Sequence, residues 1–565
     1  MKNLNQYLVL ILGLFLTIGI LNSCVKEDEV SITEPSRYTQ SDVKSYGDLF
    51  KVFWTVMDRN YNYFYEQKRQ DGLDWNAVYK EYYPKFLALK TYNKDTQFND
   101  QDIQEDRKKA IQYFTDIIDP IIDRHFTFSV FLPSSKGSAN TQVSFNGGMK
   151  TKKNNIYDFY DKRVYMLDKL QNGYDTNTNV PGLGAFILMG GALKSNPDIH
   201  YISFNAFAVV ASQINLQDKY AIPTPDDKSL LTIAEIDASK ELNMIKDLSE
   251  REKGRAEVVG ILKQYQASLI SVAPEINNFN DQVSIFKTTE VVSDTFLNVT
   301  NKIYPNVEKL VDIDPASFLN VLKVALADPS RRPLLVWFFT RMNAGAYASM
   351  YKFRVDVEKI LVNGPFYQKF LNPLHKGNIK KLIIDLRGNG GGAVIDFRFF
   401  VERFVTKNTV WGYQRTKQGN GRFNYTPWVP MQAKPHQFAL PANIPIVILT
   451  DKGSVSMSEM STMMLKSQGP QVISIGDFSY GGTAGLGNSD DFNSGSRDFI
   501  PDVMSFYMPL MATKDINGNV IEGIGVKPDI YVTPPTDAEV EALRSSPSTF
   551  TDRVMVEAVK YLSSK

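Results

Sequence analysis

The sequence has a single cysteine, Cys24, and no excess of either charge, since 63 Lys and Arg residues stand against 62 Asp and Glu residues. Without a second cysteine the chain cannot form an internal disulfide, so its stability must come from a hydrophobic core. With 565 residues, 43 % of them hydrophobic, the chain can bury such a core in about three domains. Non-specific nucleic-acid binding needs a surplus of basic residues, so nucleic acid is not an expected partner.

Histidine is also scarce. The four histidines include no His-Glu-x-x-His segment and no closely spaced pair. A metal site is therefore not expected, because structural and catalytic zinc sites draw on such clusters. No cofactor motif is found either, so we expect none.

The N-terminus has the pattern of an export signal. Lys2 precedes an apolar run over residues 7–21, and the following Leu-Asn-Ser-Cys24 resembles the lipobox of bacterial lipoproteins. This resemblance implies a signal peptide over residues 1–23, lipid attachment at Cys24 and a membrane anchor. The acidic residues 25–29 resemble the export tag of Bacteroidetes lipoproteins, which implies the outer membrane and surface exposure. An uncleaved anchor helix and an ordinary solvated tether are the alternatives.

The remaining sequence divides by its hydrophobic pattern. After a flexible tether, residues 24–45, apolar residues at spacings of three and four predict a small all-helical domain over residues 46–135, with helices over 75–86 and 103–122. Residues 136–236 are mixed, and a helical insertion is predicted over residues 237–376. Residues 377–565 alternate strands and helices, so the fold class predicted for the chain is α+β or α/β.

Two motifs in the last region can carry chemistry. The apolar strand 381–386 runs into Arg387-Gly-Asn-Gly-Gly-Gly392, a loop whose backbone N–H groups could bind an oxyanion or simply form a tight turn. The strand 446–450 leads to Ser456 at the start of a predicted helix. That position suits a nucleophile, but Ser456-x-x-Glu459 is also a capping box.

Taken together, the motifs Asp385-Leu-Arg-Gly-Asn-Gly-Gly-Gly392, Gly453-Ser-Val-Ser-Met-Ser-Glu459 and Gly523-Ile-Gly-Val-Lys-Pro-Asp529 resemble peptidase family S41. The resemblance implies a serine endopeptidase with a crotonase-like β-β-α core, an N-terminal helical cap and the helical insertion. A PDZ domain, frequent in relatives, has no clear counterpart here. The alternative is a catalytically inactive binding lipoprotein on the same fold, for a peptide or an apolar ligand.

The resemblance also assigns roles. The processing branch of the family has a lysine base where Gly482 stands here, so the chain is more similar to the tricorn-like branch, whose base is the histidine of an Asp-x-His segment. This implies His125 as base for Ser456, and Glu522 as the group that orients the imidazole and raises its pKa. The oxyanion would be bound by backbone N–H groups of Met457 and of three loop glycines, Gly388, Gly390 and Gly391. The implied substrate is a polypeptide of the cell envelope. In tricorn a serine with an accessory role precedes the histidine; Arg124 stands at that position here, which puts that role in doubt.

Overall fold

The computed structural model describes residues 38–149, 157–180, 184–220, 230–308, 310, 312–344, 346–419, 421–483, 495–496, 499–509 and 511–565. The predicted signal peptide and Cys24 lie outside the described residues, and the tether is described only from residue 38. None of the helices in these ranges has the length and apolar character needed to cross a membrane.

The α-helices are α1 Tyr46–Asn60, α2 Phe64–Asp71, α3 Trp75–Ala88, α4 Asp100–Ile118, α5 Phe159–Leu167, α6 Ile233–Ala238, α7 Lys240–Asn243, α8 Leu248–Val272, α9 Ile276–Thr289, α10 Asp294–Val307, α11 Phe318–Leu326, α12 Arg332–Met342, α13 Ala346–Phe366, α14 Asn372–His375, α15 Asp396–Phe399, α16 Met457–Lys466, α17 Asp537–Ser545 and α18 Arg553–Ser563. The strands are β1 Thr127–Leu132, β2 Thr141–Asn146, β3 Leu170–Val180, β4 Gly184–Leu193, β5 Asn196–Phe204, β6 Lys381–Asp385, β7 Thr409–Thr416, β8 Val429–Ala433, β9 Ile446–Thr450, β10 Val472–Gly476, β11 Gly495–Ser496, β12 Phe499–Ile500, β13 Met504–Pro509, β14 Met511–Asp515 and β15 Ile530–Tyr531.

A seven-stranded sheet forms the centre of the α/β part, in the order β15-β10-β9-β6-β5-β4-β3. The five strands from β15 to β5 are parallel, whereas β4 and β3 add antiparallel pairs at one edge. Side chains alternate between its faces: Ile384 and Ile448 belong to the core that contains α16, while Ile383 and Val447 pack with α5, α17 and α18. Helices cover both faces, which agrees with the predicted α/β texture.

The helices α6 to α14 connect β5 to β6, which are neighbouring parallel strands paired from Ile199–Lys381 to Ser203–Asp385. This long connection corresponds in position to the predicted helical insertion. Because β6 and β9 are also neighbours, the loops that follow these two strands emerge at the same edge of the sheet.

The N-terminal helices pack on a second sheet in which β1 pairs with both β2 and β13. Phe53 of α1 and Phe114 of α4 surround Phe128 of β1, and Phe128 contacts Phe506 of β13 with ring centroids 4.9 Å apart. The prediction of an all-helical segment up to residue 135 is therefore wrong at its end, where β1 lies. This strand pairs with β13, near the other end of the chain, and pairing over such a distance gives no local pattern in the sequence.

The predicted helices were close to those observed. The helix predicted over 75–86 is α3, and the one predicted over 103–122 is α4, which begins and ends a few residues earlier. Asn99 caps α4 by accepting the N–H of Asp102, and Pro120 prevents the helix from continuing to residue 122.

Candidate active site

Ser456 lies between β9 and α16 in a backbone conformation unusual for serine, with φ 57° and ψ −109°. Ordinary capping residues of this chain, such as Ser45 and Ser293, have extended backbones with φ of −150° and −81°. A positive φ costs a side chain about 1–3 kcal/mol, and strain of this kind clusters at functional positions. Ser456 and Glu459 form the predicted capping box, but capping alone does not require this conformation.

The glycine loop after β6 packs directly against Ser456. Gly391 has φ 84°, and a Cβ atom at this position would lie 2.8 Å from Cβ of Ser456. Asn389 ties the loop to α16, because its Oδ1 accepts the N–H of Gly391 at 2.9 Å and the hydroxyl of Ser458 at 2.8 Å. The loop therefore has a structural reason for glycine in addition to any role in binding.

The N–H groups of the three predicted oxyanion-binding glycines are already donated within the protein. Gly388 donates to Asp451 Oδ1 at 3.0 Å, Gly390 to the carbonyl of Asn205 at 3.2 Å, and Gly391 to Asn389. The prediction that these glycine N–H groups face an oxyanion does not fit this geometry. Met457, the first residue of α16, follows Ser456 directly. Its N–H differs from those of the glycines, because it has no acceptor in the described part of the chain.

Glu459 is a buried carboxylate whose part in the site goes beyond the predicted cap. Its Oε2 accepts the N–H of Ser456 at 3.0 Å and of Gly482 at 2.9 Å, while Oε1 accepts the N–H of Gly481 and the hydroxyl of Ser479, both at 2.6 Å. Because Oε2 of Glu459 accepts both N–H groups, the backbone nitrogens of Ser456 and Gly482 lie within about 6 Å of each other.

His125 reaches this same place from the loop between α4 and β1. A Cβ at Gly482 would lie 3.1 Å from Cε1 and 3.3 Å from Nδ1 of His125, so the imidazole packs directly against Gly482. Burial lowers the pKa of His125 to about 4, which keeps the ring neutral at pH 7. The sequence-based expectation of a raised pKa is thus wrong for this geometry.

Glu522 is fully buried beside His125. Its Oε1 accepts the N–H of Arg124 and its Oε2 the N–H of Thr483, both at 2.9 Å. One possible metal-ligand atom each from Asp123, His125 and Glu522 lies within 4.8 Å of the other two. Burial, together with the charge of Asp123, raises the pKa of the Glu522 carboxyl well above its usual value. The structure thus brings His125 and Glu522 together, and the sequence did not predict Asp123 as a third member.

Within the described part of the chain, these three side chains also form a group that could bind a metal ion. One imidazole nitrogen and two carboxylates are suitable ligands for a divalent ion such as zinc. The sequence-based argument against a metal site rested on spacing along the chain, and it could not foresee a set that joins residues about 400 positions apart.

Buried ion pairs stabilise the start of the glycine loop. Arg387 donates to both oxygens of Asp385 and to both oxygens of Asp552, which also caps α18. Lys162 of α5 is fully buried and pairs with Asp385 at 3.3 Å. Sequence reasoning missed Lys162 and Asp552, because nothing local marks either residue.

The nearest lysines before and after Ser456 in the sequence, Lys452 and Lys466, are engaged elsewhere. Lys466 forms a salt bridge with Asp529 at 2.9 Å and lies at the end of α16, about 15 Å along the helix from Ser456. Lys452 donates to the carbonyl of Ser479 at 3.2 Å.

Part of the chain that carries this site is similar to known proteins. Residues 347–532 match the model of Peptidase family S41. The match includes Ser456, Glu522 and the glycine loop, whereas His125 lies outside it. The carboxy-terminal processing protease CtpB of Bacillus subtilis (strain 168) is 29 % identical over 172 residues, which are 30 % of this chain and 31 % of CtpB. The chain thus spans about a third of the length of this curated relative.

The chain is also similar to solved structures. One is a candidate peptidase from Parabacteroides merdae ATCC 43184, with a TM-score of 0.43, 14 % identity and coverage of 92 % of this chain and 97 % of that chain. Another is mature CPAF complexed with lactacystin, with a TM-score of 0.37, 8 % identity and coverage of 89 % and 96 %. The family match and the similarity to CtpB support the prediction of a serine peptidase.

Proposed function

We propose that the protein is a serine endopeptidase that hydrolyses peptide bonds of proteins or peptides in the cell envelope, with Ser456 as nucleophile, His125 as base and Glu522 as the orienting carboxylate. The observation that carries the proposal is the convergence at Gly482. There one oxygen of Glu459 binds the backbone of Ser456 and of Gly482, and His125 packs on Gly482. The tricorn-like arrangement, with histidine in place of lysine, is part of this proposal.

In the proposed mechanism, neutral His125 removes the proton of the Ser456 hydroxyl as the oxygen attacks the peptide carbonyl. The negative charge that develops on the carbonyl oxygen is stabilised by the N–H of Met457 and by the N-terminal end of α16. His125 then protonates the leaving amine. In the second half of the reaction His125 deprotonates a water molecule, which attacks the acyl ester and releases the acyl group from Ser456. Glu522 stabilises the imidazolium that forms in each half of the reaction.

The proposed architecture is a helical cap that delivers His125 to a crotonase-like core carrying Ser456. The hydrophobic core formed by α1, α3 and α4 supports this division, because it also includes β1, and His125 lies in the loop that joins α4 to β1. An extended peptide could add a strand beside the active-site sheet, since backbone hydrogen bonds are the same for any sequence.

The proposal is tested with an unfolded, casein-like protein as substrate. Wild-type protein should cleave it, and Ser456→Ala should not. Cleavage should persist in EDTA, and its loss in EDTA would instead assign Asp123, His125 and Glu522 to a metal centre. Equal results for the wild type and Ser456→Ala, with intact substrate in both, would favour the binding lipoprotein.

We also propose that Cys24 carries a lipid anchor and that the protein is an outer-membrane lipoprotein. The support is the lipobox-like segment behind an apolar run of 15 residues. A palmitate analogue should label growing cells that make the wild type but not cells that make Cys24→Ala. Equal labelling of the two would contradict the anchor, and protease shaving of intact cells tests surface exposure separately.

A further inference from the structure

Asp123 is a buried carboxylate to which the mechanism above gives no role. Its Oδ1 accepts the backbone N–H groups of His125 at 2.9 Å and of Phe126 at 3.0 Å. Its Oδ2 is buried and has no hydrogen-bond partner in the described part of the chain, and the same is true of Nδ1 of His125. A buried polar atom without a partner is costly, so two such atoms in one loop point to a ligand that binds them.

Other buried carboxylates around the site are satisfied by groups of the protein. Asp385 accepts hydrogen bonds from Arg387 and pairs with Lys162. Glu459 accepts four donors, two on each oxygen. Oδ2 of Asp123 differs from these oxygens, and the difference is not explained by exposure, because Asp123 is fully buried.

The cluster of Asp123, His125 and Glu522 has nearly the spacing of a metal site. One possible ligand atom from each residue lies within 4.8 Å of the other two. In a tetrahedral zinc site with bonds of about 2.0–2.1 Å, two ligand atoms are about 3.3 Å apart, so binding would draw these atoms together by at most about 1.5 Å. Both carboxylates are buried, whereas His125 keeps some exposed surface from which an ion could enter.

We infer that Asp123, His125 and Glu522 bind a divalent ion of the zinc type and, on the basis of the proposed function, that the bound ion inhibits the peptidase. A neutral imidazole has a single nitrogen lone pair, because its other nitrogen carries the hydrogen. A metal ion bound to the ring uses this lone pair, which is then not available to accept the proton of Ser456. The metal-free protein is therefore the active form, and zinc is a reversible inhibitor that occupies the base.

The ligand set also determines which ions should bind. Zn²⁺ and Co²⁺ accept an imidazole nitrogen together with carboxylate oxygens, whereas Mg²⁺ prefers oxygen ligands and keeps several water molecules. We therefore expect Zn²⁺ and Co²⁺ to bind to the cluster and Mg²⁺ at the same concentration to have no effect. Inhibition by Mg²⁺ equal to that by Zn²⁺ would contradict a site built around His125.

Binding is measured first, by isothermal titration calorimetry with ZnCl₂. The full chain carries Ser456→Ala and Cys24→Ala, so that it has neither the candidate nucleophile nor a thiol that could bind zinc. We expect one Zn²⁺ per chain. Asp123→Asn should weaken its binding at least tenfold, because asparagine keeps Oδ1 for the two N–H groups but loses the charge. His375→Gln, which removes a histidine outside the cluster, is the matched control and should leave the Kd unchanged.

Thermal unfolding of the same samples shows whether each variant is folded. Saturating Zn²⁺ should raise the Tm of the parent and of His375→Gln by a few degrees, and should not raise that of Asp123→Asn. His125→Gln provides a second variant if Asp123→Asn does not fold, and it should weaken zinc binding to a similar extent. Zinc binding that neither variant changes would be adventitious and would overturn the inference.

Inhibition is then measured on the wild type with the casein-like substrate at buffered free Zn²⁺. Saturating Zn²⁺ should lower kcat/KM about a hundredfold or more, and EDTA should restore it. Zinc that binds at the cluster without lowering kcat/KM would overturn the inhibitory role. If the wild type never cleaves the substrate and zinc still binds at the cluster, the proposed function fails and the metal site stands. If the wild type cleaves and zinc does not bind, the metal site fails alone.

Discussion

Replacing Ser456 by glycine separates the two roles of this residue more sharply than replacing it by alanine. The backbone of Ser456, with φ 57° and ψ −109°, is one that glycine adopts readily and that other residues adopt at a cost. Glycine would therefore remove the hydroxyl and relieve the strain together. Alanine would remove the hydroxyl and keep the strain.

The expected magnitudes follow from three contributions. A side chain held at such a φ costs about 1–3 kcal/mol. Loss of a serine cap costs about 1 kcal/mol when alanine replaces it but only a few tenths when glycine does. Ser456→Gly should thus be more stable than the wild type by about 1–2 kcal/mol, whereas Ser456→Ala should be less stable by about 1 kcal/mol. Loss of the nucleophile removes a factor of about 10⁴–10⁶ in turnover in either variant.

The assay combines cleavage of a casein-like substrate with thermal unfolding of the same samples. We expect both variants to be inactive and Ser456→Gly to have the higher Tm, by a few degrees over Ser456→Ala. A glycine variant that is less stable than the alanine variant would refute the strain argument. Full cleavage by either variant would refute the assignment of the nucleophile.

The remaining predictions concern the base and its surroundings. His125→Ala should abolish cleavage, whereas Lys452→Ala and Lys466→Ala should retain it; the reverse pattern would make a lysine the base. Glu522→Gln should reduce kcat less than His125→Ala does, because the amide oxygen still accepts a hydrogen bond but the charge is lost; equal loss would contradict this ranking. Gly482→Ala should lower kcat about tenfold with little change in Tm, because the new Cβ would lie 3.1 Å from the His125 ring and displace it by a few tenths of an ångström; unchanged kcat would show that the ring lies elsewhere. Burial lowers the pKa of His125 from about 6.5 to about 4, so its neutral form contributes stability that is present above pH 6.5 and lost as the pH falls towards 4. Urea unfolding should therefore show His125→Gln losing less stability than the wild type between these pH values, and parallel losses would contradict the shift.

Elements with a strong local pattern were predictable from the sequence. The strands β6 and β9 are short, mostly apolar runs followed by turn residues, and α16 follows a capping box. The glycine loop was recognised because glycine marks a close approach or a positive φ, and Gly391 has both. These signals need only a few neighbouring residues to be read.

Long-range partners were not predictable, because they depend on which segments the fold brings together. Asp552 and Lys162 anchor the glycine loop from helices at opposite ends of the chain. The N–H groups of the loop could be recognised as donors, but their acceptors, such as the carbonyl of Asn205, could not. The pKa of His125 has the same origin, since the lowering comes from burial between two distant parts of the sequence.

Glu459 connects the capping of α16 with the geometry around Ser456, two roles between which the sequence left the choice open. The capping box and a nucleophilic Ser456 were weighed as alternatives, but the carboxylate that binds the N–H of Ser456 also binds the N–H groups of Gly481 and Gly482. The same side chain therefore begins the helix and holds the strand-to-helix turn against the surface on which His125 packs. A cap that served only the helix would have no reason to be fully buried or to accept donors from a loop 20 residues away. Capping is thus one part of the arrangement that positions the candidate nucleophile.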